Sequence, residues 1–238
     1  MTSGTTIVRT TTIEIGNDGG RPFDGHLAWP ERVTGPGVIV LSEMFGVNDA
    51  MRRVADHFAR RGSPALVPNL FWRSETTRAF AYDVEQQEAW TRLAALDLDA
   101  AAREVQTALS WFRVQPAAPV KMAGVGFCGG GRIAFLAAAR TDIDAAASLY
   151  GLGIAQHLDE AGSVSCPLQI HYGLNDRHIP REEIDTVAAA VKSQPLIGVF
   201  LYPGAGHSFF NPVRPTYDPD AAALAASRIE GMIDDLAR

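Results

Sequence analysis

The stretch 119–139, P-V-K-M-A-G-V-G-F-C-G-G-G-R-I-A-F-L-A-A-A, constrains the fold more than any other part of the chain. An apolar segment passes through five glycines and one cysteine, Cys128, into an Ala-rich segment with no breaker. That order reads as strand, sharp turn and helix. A side chain at the tip of such a turn is pushed outward on strained backbone, and glycines let neighbouring backbone pack close to it. Gly126-x-Cys128-x-Gly130 is therefore the nucleophile-elbow pattern G-x-S-x-G with a thiol in place of the hydroxyl.

The flanking segments supply a frame for that turn. Residues 5–15 are rich in β-branched side chains and predict a strand. N-D-G-G at 17–20 is a turn and 23–29 a return strand, which together give an antiparallel hairpin at a sheet edge. The apolar run 37–43 ends in polar residues and suits a central strand covered on both faces. Asn48 caps a helix to about Arg61 that Gly62 ends, and 64–68 is a short strand. Residues 69–82 are irregular and aromatic, and helical segments follow near 83–94 and from Asp97 or Asp99 to Phe112. Further strands are expected at 119–126, 145–151, 167–173 and 196–202, with helices at 181–193 and from Asp218 or Asp220 to Leu236. Strand and helix alternate from residue 37 onward, which argues for one α/β domain over 1–238. Its sheet is mostly parallel, with helices on both faces. Sites in such sheets form beyond the carboxyl ends of the strands.

Composition narrows the partners. The net charge is −6 and no basic run occurs, so a nucleic acid held by phosphate contacts is not expected. M-T-S-G-T-T-I-V-R at the start has no apolar core like a signal peptide's, and no run of about 18 apolar residues follows. A cytoplasmic protein without membrane attachment is the expectation. The two cysteines, Cys128 and Cys166, fit a reducing compartment, and they are too few and too scattered for a zinc cluster. No metal or cofactor is implied, and monomer and dimer both remain open.

A thiol nucleophile needs a base, and the base an orienter. Of six histidines, His207 lies in Y-P-G-A-G-H-S-F-F-N-P straight after the strand 196–202. Asp176, in Y-G-L-N-D-R-H, occupies the equivalent position after 167–173. The order Cys128, Asp176, His207 is nucleophile, acid, histidine, as in an α/β-hydrolase. Gly129 and Met44 are the candidate oxyanion donors, one after the nucleophile and one after the strand that ends near Glu43. Glu43 is itself a carboxylate that ends an apolar strand toward the site. Trp90, Phe45, Tyr150, Phe209 and Phe210 are candidate pocket walls. Two other readings stay open. Gly124-V-Gly126-F-C-Gly129 also matches G-x-G-x-x-G, the dinucleotide fingerprint of an oxidoreductase, although no carboxylate closes the following strand. A catalytically silent binding protein on the same fold is the other.

L-S-E-M-F-G-V-N (41–48), G-F-C-G-G-G-R (126–132), H-Y-G-L-N-D (171–176) and G-A-G-H-S-F-F (204–210) together resemble the dienelactone hydrolase family. The resemblance implies a three-layer α/β-hydrolase fold and a Cys-His-Asp triad. It further implies a Glu43 that helps generate the thiolate, and hydrolysis of a small ester or enol-lactone. The family's carboxymethylenebutenolidases act in the degradation of chlorinated aromatic compounds. They hold the substrate carboxylate with two arginines, and a tyrosine shares a helical segment with one of them. Here Asn211 stands in place of one arginine, and Gln86 and Trp90 fall in the segment of the other arginine and the tyrosine. Arg73 and Arg78, in the aromatic loop, are the candidate substitutes.

Overall fold

The computed structural model describes residues 6–238. Thr5, the first residue of the predicted edge strand, and residues 1–4 of the segment read for a leader lie outside the described residues.

The first strands are β1 (Val8–Asp18), β2 (Arg21–Pro30), β3 (Gly37–Leu41) and β4 (Ala65–Pro68). They are followed by β5 (Met122–Phe127), β6 (Ala145–Leu149), β7 (Leu168–Gly173) and β8 (Ile197–Tyr202). The eight form one sheet in the order β1-β2-β4-β3-β5-β6-β7-β8. β1 pairs antiparallel with β2, and β2 with β4; every pairing from β4 through β3 to β8 is parallel. The edge hairpin, the mostly parallel sheet and the covering helices expected from the sequence are all present. β1 ends three residues later than predicted, because the turn takes only Gly19 and Gly20, both at positive φ, and Asp18 still pairs with Arg21.

The helices are α1 (Asp49–Arg60), α2 (Gln86–Ala94), α3 (Leu98–Arg113), α4 (Gly129–Arg140), α5 (Arg181–Val191) and α6 (Pro219–Asp235). Three begin on side-chain caps that satisfy otherwise orphaned amides. Asn48 accepts from Ala50 and Met51, Asp97 from Ala100, and Asp218 from Ala221. α1 and α6 pair across one face, where Arg61 bridges to Glu230 and Asp234. α3, α4 and α5 cover the other face. A 3-10 segment, Ile154–Ser163, occupies what the sequence reads as a plain polar connection. Ile154, Leu158 and Ala161 do turn one face toward the core, but the segment is short and kinks at His157 (φ −129°).

β3, β5 and β6 are buried along their whole length, which explains their apolar runs, interrupted only by the small Ser148 in β6. β7 breaks that pattern with His171, fully buried beside Tyr202, whose Oη lies 2.7 Å from Nδ1. Burial, with a smaller contribution from Arg228, pushes this imidazole down to about 3. The unfolded histidine protonates near 6.5, so stability is undiminished above that pH. It falls as pH drops from 6.5 toward 3, because only the unfolded chain takes up the proton. The slope attributable to one such group is at most about 1.4 kcal/mol per pH unit. Urea midpoints at pH 7 and pH 5 check this: wild type loses stability over that interval and His171→Gln loses measurably less. Equal losses would contradict it.

Candidate active site

Cys128 sits at the joint between β5 and α4 with φ 56° and ψ −117°, a conformation that L residues rarely hold. The two glycines of the motif have a steric reason. A Cβ on Gly126 would lie 2.1 Å from the Gly130 carbonyl oxygen, and one on Gly130 would lie 2.2 Å from that of Leu41. The first turn of α4 thus rests on the end of β3, the strand that leads into Glu43. The Cys128 amide donates to the Leu149 carbonyl at 3.0 Å, which ties the elbow to β6.

Asp176 and His207 arrive from the carboxyl ends of β7 and β8. His207 Nδ1 lies 2.7 Å from Asp176 Oδ2, with side chains 11% and 0% exposed respectively. The other carboxylate oxygen accepts from the amides of His178 at 2.7 Å and Ile179 at 3.2 Å. Three donors fix this carboxylate, and it in turn fixes the imidazole tautomer and orientation. His207 Nε2 is buried with no partner at hydrogen-bonding geometry. Burial alone opposes a charge on this ring, but Cys128 and the hydrogen-bonded Asp176 together raise it to about 10. The thiol and the imidazole are therefore electrostatic neighbours.

Glu43 is 2% exposed and has no cationic partner among the described residues. Tyr82 Oη donates to Oε2 at 2.9 Å, Asn211 Nδ2 approaches Oε2 at 3.3 Å, and Tyr150 Oη approaches Oε1 at 3.4 Å. Burial first, and Glu43 second, hold both tyrosine hydroxyls well above their ordinary range, so they stay protonated donors. Asn211 also donates to Tyr82 Oη at 2.9 Å. Tyr150 lies at φ 40°, with its ring 5.0 Å from that of His207.

Gly129 is the first residue of α4, so its amide has no intrahelical acceptor. Among the described residues no backbone carbonyl accepts from the Met44 amide. The Met44 carbonyl, on the neighbouring peptide, accepts from Arg92 Nη2 at 2.9 Å.

Comparison with known proteins decides the family. The sequence profile of the Dienelactone hydrolase family matches residues 23–235. The chain belongs to the dienelactone hydrolase family. It is 36% identical over 225 residues to a protein of Azospirillum brasilense that carries the provisional name carboxymethylenebutenolidase, with 91% of this chain and 94% of that protein covered. A carboxymethylenebutenolidase of Pseudomonas putida is 31% identical over 221 residues, with 92% and 94% covered. A crystal structure from Klebsiella pneumoniae, provisionally titled a dienelactone hydrolase, superposes with a TM-score of 0.85 at 24% identity, covering 96% of this chain and 99% of that one. That likeness concerns the fold. The resemblance carried by the four sequence blocks is borne out.

Within the family frame, the structure redistributes the candidate arginines. Arg73 pairs with Glu104 and Asp18, its guanidinium over the Trp72 ring, and Arg78 pairs with Glu85. Both line a hollow between the 69–80 segment, α2 and α3 that contains none of Cys128, Asp176 and His207. The structure does not bring them to the triad. Carboxylates at positions 85 and 104, seven residues beyond Arg78 and on α3 respectively, claim them first. Asn211, expected at the substrate, is 3% exposed and spends its amide on Glu43 and Tyr82. Gln86 is exposed, and its amide donates to the Tyr82 carbonyl. Trp90 is half-buried 5.4 Å from His178, whose ring is 4.9 Å from His207, so it does reach the triad's surroundings. Phe45 packs edge-on to Tyr82 at 4.5 Å, and Phe209 and Phe210 pack on Tyr150 and Phe127.

Two residues escaped the sequence reading. Tyr82 sits in the irregular stretch 69–82, where no periodicity marks a functional side chain. Arg92 reads as one more polar residue of an amphipathic helix, yet it is 7% exposed. It donates to the carbonyls of Thr76 at 3.1 Å, Arg78 at 2.8 Å and Met44, between the rings of Phe71 and Phe80. Burial, and then Arg78, push its guanidinium down to about 10, still charged at neutral pH. Arg92→Met leaves three carbonyls without their donor, each worth about 1–3 kcal/mol when buried. Urea denaturation is expected to show a loss of on the order of 3 kcal/mol, only partly restored in Arg92→Lys; a loss below about 1 kcal/mol would contradict it.

Proposed function

We propose that this protein hydrolyses a small ester or enol-lactone through a covalent thioester on Cys128. The observation that carries the reading is the His207–Asp176 pair at 2.7 Å beside a cysteine at φ 56° that raises the same histidine. Cys128 and Asp176 both favour the protonated ring, which supports His207 as the group that carries the proton through the reaction. The Cys128 thiolate attacks the carbonyl carbon, and the amides of Gly129 and Met44 stabilise the oxyanion. Collapse breaks the bond to the leaving oxygen, which takes the proton from His207. In a lactone that oxygen stays tethered and the ring opens. His207 then removes a proton from water, which attacks the thioester, releases the acid and restores the thiol. Asp176 orients His207 throughout. Glu43, held by Tyr82, Tyr150 and Asn211, tunes the thiol from the buried side.

The reaction asks for no cofactor, since nucleophile, base and oxyanion donors all come from the chain. Family membership and the His207–Asp176 pair favour it over the phosphate-loop reading of the same glycines. The match to carboxymethylenebutenolidases over nine-tenths of the chain supports a lactone substrate. The cation that faces such a substrate's carboxylate is Arg214. It lies over the rings of Phe45 at 5.5 Å and Tyr82 at 5.0 Å, and it forms no ion pair among the described residues.

Two variants test the reading. Cys128→Ala is expected to lower kcat/KM for p-nitrophenyl acetate by roughly a thousandfold with the fold intact by circular dichroism. Unchanged turnover sinks the mechanism. Arg214→Gln is expected to raise KM for a carboxylate-bearing lactone by about tenfold and to leave that for the neutral aryl ester within about twofold. Equal effects on both substrates would remove Arg214 from recognition.

A further inference from the structure

A cavity of about 220 Å³ lies between α1, α6 and the sheet, and it includes none of Cys128, Asp176 and His207. Met51, Phe58, Val125, Phe127 and Ile229 form its apolar walls, each at most 6% exposed. Its charged groups are Arg53, His57 and Glu230, and His57 Nε2 and Glu230 Oε1 pair with each other at 2.7 Å. Apolar cavities of about 150 Å³ stay dry and hold a benzene-sized molecule, so this one has room for a single substituted ring. A charged group seated here loses its hydration with little to replace it.

Two further wall residues link the cavity to the site. Tyr150 and Asn211 both line it, and both contact Glu43. The Tyr150 ring also packs 5.0 Å from His207 and within electrostatic reach of Cys128. One side chain thus touches the cavity, the buried carboxylate and the base.

We propose that this cavity is a second ligand site, separate from the triad, for a small uncharged molecule with one aromatic ring, and that Tyr150 transmits its occupancy to Cys128. A ring seated there takes away the space into which Tyr150 can shift, and so holds the resting arrangement of the thiol. The transmission rests on the reading of Cys128 as nucleophile; the binding does not.

Toluene is the probe, with the full chain and with Val54→Phe and Ala226→Phe, which fill the cavity from α1 and α6 separately. Toluene at roughly ten times its Kd is expected to raise the wild-type Tm by about 2–4 °C. The filled variants, folded by circular dichroism, are expected to show no rise. Saturating toluene is expected to slow alkylation of wild-type Cys128 by iodoacetamide at least about twofold, and to leave the filled variants' rate unchanged. No Tm rise in wild type overturns the site. An equal rise in both filled variants overturns its location. A rise with unchanged alkylation overturns the transmission. Loss of the rise once Cys128 is carboxamidomethylated overturns the separation from the triad. Failure of the hydrolase reading shows elsewhere, as retained ester turnover in Cys128→Ala, a variant whose Tm still rises with toluene.

Discussion

The contact on which the site depends is the approach of Gly130 to the Leu41 carbonyl. With no Cβ at position 130, the first turn of α4 can rest on the end of β3. That approach seats the Cys128 elbow beside the loop that carries Glu43, Met44 and Phe45. Any larger residue at 130 would drive helix and strand apart, because what it meets is backbone and backbone cannot swing aside. The strained φ of Cys128 is sustained from several directions. Its amide bonds β6, its carbonyl accepts from Gly131, and α4 begins on the next residue.

Two buried ionisable side chains organise the ground beside the elbow, and among the described residues neither forms an ion pair. Glu43 is satisfied by two hydroxyls and an amide, Arg92 by three carbonyls and two aromatic faces. A lone ion inside a protein is costly unless hydrogen bonds replace its water shell. Here that replacement has a structural consequence. Arg92 ties the aromatic stretch 69–80 to the peptide after Met44, so the wall and the oxyanion candidate are held by one side chain. Tyr82 and Asn211 bring the loops before α2 and after β8 onto Glu43 in the same way. Segments without regular structure are thereby given fixed positions at the carboxyl end of the sheet.

The apolar cavity and the polar cluster meet at Tyr150. Its hydroxyl faces Glu43, its ring faces His207, and its remaining surface closes the cavity between α1 and α6. A single buried residue at positive φ on the turn after β6 therefore joins three environments that the sequence separates widely.

The periodic apolar runs, the caps at Asn48, Asp97 and Asp218, and the Gly-rich elbow were legible in the sequence because each is a local rule. Hydrophobic spacing, orphaned amides and steric room act within a few residues of one another. From them the alternating α/β order, the edge hairpin and the placement of Cys128, Asp176 and His207 at one end of the sheet all follow. The 3-10 segment was not legible, since it is broken by a kink at His157 and packs only a few side chains on the core. Nor were the partners of the arginines and of Glu43. Arg73 and Arg78 read as free cations near the site, and only the packing of α2 and α3 shows the carboxylates that claim them. Asn211 reads as a substrate contact, and only the fold brings it to a carboxylate 168 residues away. Sequence by itself determined which groups converge at the carboxyl end of the sheet, because strand order and turn chemistry suffice to bring them there. Tertiary structure alone decided how the charges around them are satisfied, because an ion's partner is set by distance in space and not by position in the chain.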